Sequence, residues 1–168
     1  MRNKINYLIK LALEEDIGQK DLTTELLIPE NILIKAKIIA KENGVIAGLE
    51  IAEKVFKICN MQYGIWNMGD GIKFLAKVKD GEKVKKGQVV AEIYGQARTI
   101  LTAERVALNF LQHLSGIATL TRKYVDATKQ VTSYKLQVTR VYDTRKTTPL
   151  WRELEKYAVR CGGGYNHR

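Results

Sequence analysis

The chain has 168 residues, 45% hydrophobic and 27% charged, proportions ordinary for a globular protein. Its 28 basic and 18 acidic residues leave a formal charge of +10, which implies an anionic partner: nucleic acid, a membrane surface or an acidic small molecule. Cys59 and Cys161 are far apart and form no CxxC pair, so neither a zinc site nor a disulfide framework is suggested; no apolar run nears the ~20 residues of a membrane span.

The N-terminus reads as an amphipathic helix over 3–15, with Ile5, Leu8, Ile9, Ala12 and Leu13 on one face. Lys10, Glu14 and Glu15 interrupt those apolar positions, so no signal-peptide core forms and a cytoplasmic setting is expected. Asp16 to Asp21 reads as a turn, and Thr23 and Thr24 as loop hydroxyls satisfied locally. Residues 32–41 alternate from Ile34 onward, as a half-buried strand does. Asn43-Gly44 turns the chain into a second strand, Val45-Ile46-Ala47. Gly48 leads into a helix with Leu49, Ala52, Val55, Phe56 and Cys59 on one side, Cys59 as a small core residue.

From 72 to 94 the pattern is strand, turn, strand, with turns at Lys79-Asp80-Gly81 and Lys86-Gly87. VKDGEKVKKGQVVAEIYG resembles the hairpins of biotin- and lipoate-carrying arms. It lacks the Met-Lys-Met or Asp-Lys-Ala string around the modified lysine, so shared hairpin geometry accounts for the likeness. Lys83, Lys85 and Lys86 read as a solvated edge that blocks further strand pairing.

From Ala97 to Gly116 the pattern turns helical: Thr102 is suited to cap a helix, Glu104 falls in its first turn, Ala107, Phe110, Leu111 and Leu114 run at helical spacing, and Gly116 ends it. Arg105 reads as one of its surface cations, and His113 as a cap or core-edge residue. A second helix follows from about Ile117 to Lys129. Val138 to Tyr142 is β-branched and aromatic, the composition of a strand. Thr144-Arg145-Lys146 places two cations where that strand gives way to a loop. Thr148 is suited to cap the next helix and Pro149 to open it, with Glu153 and Glu155 in its early turns. Gly162-Gly163-Gly164 stops the helix and leaves bare amides, and His167 and Arg168 follow. Two cationic loops at the end of a parallel βα unit suit a substrate with several negative charges.

Several strings resemble the quinolinate phosphoribosyltransferase family, also called nicotinate-nucleotide pyrophosphorylase (carboxylating). They are EDIGQKDLTT at 15–24, ARTILTAERVALNFLQHLSGIAT at 97–119, DTRKTTP at 143–149, LEKYAV at 154–159 and GGGYNHR at 162–168. They fall in the family's order over almost the whole chain. The resemblance implies an α+β sandwich N-terminal domain followed by the start of an α/β barrel, incomplete in this chain. The expected division is 1–116 for the sandwich with its connecting helix, and 117–168 for the linking helix and first βα unit. A lone parallel strand with its helix cannot bury both of its faces. Residues 138–168 are therefore expected to pack poorly or to lean on another chain. Residues 131–138 are expected to be an insertion before the barrel strand.

The resemblance also implies a chemistry: transfer of a phosphoribosyl group from phosphoribosyl pyrophosphate to quinolinate with decarboxylation, giving nicotinate mononucleotide. It assigns Thr144, Arg145, Lys146, His167 and Arg168 to the substrate pocket. Lys146 takes the catalytic role, and Arg105 arrives across a homodimer or higher oligomer. Arginines match carboxylates and phosphates bidentately, and a lysine adds a point charge. Mg²⁺ accompanies the donor, held largely by its phosphates and water plus acidic residues. The family's Gly-Leu-Arg after the proline is replaced by Leu150-Trp151-Arg152, which sets bulk beside the cationic loop. Its later lysine, acidic residues and phosphate loops have no counterpart up to Arg168, so the expectation is no useful turnover by this chain alone. Two other readings stay open: a non-catalytic basic module binding nucleic acid, without a recognisable fold signature for it, and a related pyridine phosphoribosyltransferase.

Overall fold

The computed structural model describes residues 2–18, 21–63, 71–131 and 139–167. In chain order the elements are helix α1 (Arg2–Ile17), helix α2 (Leu22–Leu27), strand β1 (Leu33–Ile39), strand β2 (Gly44–Val45), helix α3 (Leu49–Tyr63), strands β3 (Lys73–Ala76), β4 (Lys83–Val84) and β5 (Val89–Gln96), helix α4 (Ala97–Val131) and helix α5 (Arg152–Cys161). They form two compact units: Met1–Ile39 with Glu50–Lys77 and Val89–Phe110, and Ala40–Leu49 with Val78–Gln88 and Leu111–Arg168.

The first unit is a three-stranded antiparallel sheet, ordered β1-β5-β3, with helices against it. The alternation read from Ile34 onward is the alternation observed, since burial along β1 changes at every residue. Ile34, Ala36 and Ile38 pair with Gly95, Ile93 and Ala91 of β5. Lys35 and Lys77 reach Glu92 at 3.1 and 2.8 Å. The core is Ile9 and Leu13 of α1, Ala52, Val55, Phe56 and Cys59 of α3, and Ile100, Ala103, Ala107 and Phe110 of α4. The Phe56 ring lies tilted against Phe74 of β3, centroids 6.1 Å apart.

Thr23 and Thr24 do not lie in a loop; they belong to α2. Asp21 caps that helix, its Oδ1 accepting the Thr24 amide at 3.2 Å. Arg98 of α4 closes the other end, its Nε donating to the Ile28 carbonyl at 2.7 Å and a terminal nitrogen to the Glu25 carbonyl at 2.8 Å.

The second unit pairs β2 with β4, Gly44 opposite Val84. The outer edge of β2 is met by α4 side chains: Thr119 Oγ1 accepts the Val45 amide at 2.8 Å and Ser115 Oγ the Ala47 amide at 3.1 Å. Two hydroxyls four residues apart fall on one helix face, which lets them serve one strand edge. Gly116 does not end the helix as expected. α4 continues through Val131, because Leu114, Ala118 and Thr121 are buried on either side of that glycine and outweigh its propensity cost of about 1 kcal/mol. Thr102 is therefore an interior position of α4 and not its cap.

The expected strand before Asp143 is reduced to a parallel bridge between Tyr142 and Tyr165. Val138 and the rest of 132–138 lie outside the described residues, and Val131, the first residue of the expected insertion at 131–138, closes α4. Among the described residues that bridge is the segment's only strand pairing. Tyr142 and Tyr165 stay about half exposed, at 49% and 48%. The helix side packs better than expected, with Leu154 and Ala158 of α5 buried. Gly162 ends α5 where a Cβ would lie 2.5 Å from the Ala118 carbonyl oxygen and 2.6 Å from Thr121 Cβ. Only glycine allows the end of α5 to come that close to α4.

Candidate active site

The cationic loop after Tyr142 and the glycine-rich segment after α5 are brought together by a parallel backbone ladder. The Tyr165 amide donates to the Val141 carbonyl at 2.8 Å and the Asp143 amide to the Tyr165 carbonyl at 3.0 Å. Asp143 then gathers side chains. Lys156 Nζ lies 2.8 Å from each of its carboxylate oxygens, and Oδ1 accepts the His167 amide at 2.7 Å. With its amide oriented to satisfy both ends, Asn166 donates to Asp143 Oδ2 at 2.9 Å and to the Lys156 carbonyl at 3.0 Å.

This arrangement ties His167 to Asp143, the residue that precedes Thr144, Arg145 and Lys146 in the chain. Those three and His167 are exposed. Thr144 Oγ1 accepts the Lys146 amide at 3.1 Å, tightening the loop that carries both cations. Arg168 lies outside the described residues. Arg105 belongs to the first unit, where it is paired with Asp16 at 3.2 Å while its side chain stays 75% exposed. An ion pair so open contributes no more than ~1 kcal/mol and holds the guanidinium weakly.

The entry to α5 differs from expectation. Thr148 and Pro149 precede the helix, whose N-cap is Trp151 with no side-chain cap bond. The Trp151 amide donates to the Thr148 carbonyl at 3.0 Å, closing a turn over Pro149 and Leu150. Leu150 has φ 68, so proline precedes a left-handed residue, the signature of a type II turn. Glu155 supplies the missing cap from inside the helix, accepting the Thr148 amide at 3.2 Å and facing His113 Nε2 at 3.0 Å. Burial raises the pKa of Glu155, but the bonds from Thr148 and His113 outweigh it and hold the carboxyl below its ordinary range. The His113 ring meets Trp151 edge-on at 5.1 Å between centroids.

Asp143 and Lys156 are the residues whose part sequence reasoning missed. A lysine flanked by the buried positions Leu154 and Ala158 on an amphipathic helix was the available signal, because its ammonium needs a partner there.

Two family models match the chain: the N-terminal domain of quinolinate phosphoribosyl transferase over residues 21–115 and its C-terminal domain over 117–168. The chain belongs to the quinolinate phosphoribosyl transferase family. A probable nicotinate-nucleotide pyrophosphorylase (carboxylating) of Bacillus subtilis is 42% identical over 154 residues, 92% of this chain and 48% of its own length. A similarly named protein of Synechocystis is 44% identical over 156 residues, 93% of this chain and 48% of its length. The crystal structure of NadC from Streptococcus pyogenes superposes on all of this chain and 54% of its own, at TM-score 0.87 and 42% identity. The chain thus spans about half the length of the curated relatives it matches.

The family fold accounts for the architecture: an α+β sandwich, then the start of an α/β barrel that is incomplete in this chain. It also explains why two distant strings occur together. Asp16 and Asp21 of EDIGQKDLTT meet Arg105 and Thr102 of ARTILTAER, the second pair at 2.9 Å. No helix among the described residues is long and apolar enough to cross a membrane.

Proposed function

We propose that this chain carries the quinolinate-facing part of a phosphoribosyltransferase site. The full reaction transfers the phosphoribosyl group of phosphoribosyl pyrophosphate to quinolinate, releasing carbon dioxide and pyrophosphate and giving nicotinate mononucleotide. The observation that supports the reading is the bond from the His167 amide to Asp143, the residue that leads into Thr144-Arg145-Lys146. Quinolinate is a dianion and its co-substrate carries more charge, so exposed, fixed cations give electrostatic stabilisation where charge departs. Arg145 acts as a carboxylate or phosphate fork and Lys146 as the catalytic point charge, with Arg168 continuing the same segment. Arg105 is supplied from a second copy in a homodimer or higher oligomer, its exposure leaving it able to reach outward.

Mg²⁺ enters this reading with the donor, held largely by the donor's phosphates and water plus acidic residues. The reading keeps the division at 1–116 for the sandwich portion and 117–168 for the start of the barrel, and family matches over 21–115 and 117–168 support it. A cytoplasmic setting fits the two free cysteines.

Calorimetric titration tests the reading. Quinolinate binds at least tenfold more tightly than nicotinate, and Arg145→Ala or Lys146→Ala removes most of that difference. Equal, weak binding of both acids overturns it. The +10 charge also favours a second reading, a basic module that binds nucleic acid. Affinity for random DNA that falls steeply with salt, with no response to quinolinate, would replace the first reading by the second.

A further inference from the structure

We infer that Asp143 and Lys156 form a positioning clamp for the His167 backbone and act through it on the anion-binding segment. The inference rests on the proposed quinolinate site and adds two residues to it. The pair is enclosed, with side chains 5% and 15% exposed. Its members divide one residue's backbone between them: Asp143 Oδ1 accepts the His167 amide at 2.7 Å, and Lys156 Nζ donates to the His167 carbonyl at 3.2 Å. The same ammonium holds both Asp143 oxygens at 2.8 Å. Its charge is thereby committed inside the protein, so Lys156 is a positioning residue and not an anion ligand. Asp143 immediately precedes Thr144-Arg145-Lys146, and its own amide is tied to Tyr165. A shift of this carboxylate therefore changes the spacing between His167 and the two cations of the loop.

The test is amide exchange by NMR on the chain, paired with quinolinate titration of the same samples. In the wild type the His167 amide exchanges at least tenfold more slowly than in a free peptide, and Lys156 gives a slowly exchanging ammonium signal. Lys156→Met and Asp143→Asn each lose the His167 protection and bind quinolinate at least tenfold more weakly. The Val45 amide, held by Thr119 at 2.8 Å in the same unit, stays protected and reports that the variants are folded. The double variant binds no more weakly than the worse single one, because the two residues act as one device. An unprotected His167 amide in the wild type overturns the clamp without recourse to any variant. So does a folded variant that binds quinolinate as the wild type does. If the wild type shows the protected amide but ignores quinolinate, the proposed function falls, and the positioning role falls with it. Amide protection and titration thus separate a missing clamp from a missing site.

Discussion

The phenol of Tyr157 donates to Asp80 Oδ2 at 2.5 Å, the oxygen that also accepts the Gly48 amide at 3.0 Å, while Oδ1 accepts the Leu49 amide at 3.1 Å. One turn carboxylate thus caps the start of α3 and anchors the middle of α5. Tyr157→Phe removes a bond to a charged acceptor and lowers stability by about 2 kcal/mol, measured by urea unfolding. The effect depends on pH. Burial raises the Tyr157 pKa far above its ordinary 10.0, and the bond to Asp80 raises it further. In the unfolded chain the phenol ionises from about pH 10 upward. The folded chain keeps its proton, so the wild type loses stability as pH rises past that point. Tyr157→Phe loses less over the same interval.

Leu150 is 83% exposed and holds φ 68. An L-residue in the left-handed region costs roughly 1–2 kcal/mol, and nothing is gained by burial here. Leu150→Gly relieves the strain but adds unfolded-state entropy, leaving a net gain of about 1 kcal/mol. Thermal unfolding should show a higher midpoint for the variant. An unchanged or lower midpoint would mean that the turn is not strained.

The amphipathic spacings of α1 and α3 and the alternation in β1 were legible because each is a local pattern imposed by one buried face. The glycine stop after α5 was legible too, as a local backbone signal that ends a helix. The roles of Asp143, Lys156, Asp80 and Arg98 were not, because each joins segments far apart in sequence. Lys156 and Asp143 are 13 residues apart, and Asp80 and Tyr157 are 77. Nothing in the residues around Asp80 says that a tyrosine from the other end of the chain will meet it. Gly116 misled for a different reason: a glycine stops a helix only where burial on its far side is too small to carry the helix through.

Gly116 supplies a direct check on that account. A Cβ there meets nothing within 4 Å, and the residue is absent from the positive-φ glycines of the chain. Gly116→Ala therefore stabilises by about 1 kcal/mol, through helix propensity and a less flexible unfolded chain. Destabilisation on urea unfolding would show that the helix needs a pliable point at this position.

Cys59 is fully buried in α3, and burial first, then the nearby Asp21 charge, pushes its thiol up to about 12 from an ordinary 9.0. The thiolate is the nucleophile, so a buried, protonated thiol is inert. Iodoacetamide at pH 8 should modify Cys59 only as fast as the protein opens. Mass spectrometry of the native chain should show that site unlabelled when it is fully labelled in urea. Labelling at the denatured rate would place Cys59 outside the core.

Asp21 joins three things at once: it caps α2, accepts the Thr102 hydroxyl at 2.9 Å and lies near Arg105. Burial raises its pKa, but the bonds from Thr24 and Thr102 and the Arg105 charge outweigh it, leaving the carboxyl below its ordinary 3.8. A carboxyl depressed in the folded state contributes stability above its unfolded pKa, and that contribution is lost as pH falls through the folded value. The wild type should therefore lose part of its stability below about pH 4. Asp21→Asn keeps an acceptor for the cap but cannot titrate, so its acid limb is shallower. Asp21→Ala removes the cap as well and lowers stability at pH 7 by about 1 kcal/mol. If both variants follow the wild-type acid limb, the acid sensitivity arises elsewhere, with Glu155 and its Thr148 and His113 bonds next to be examined by Glu155→Gln.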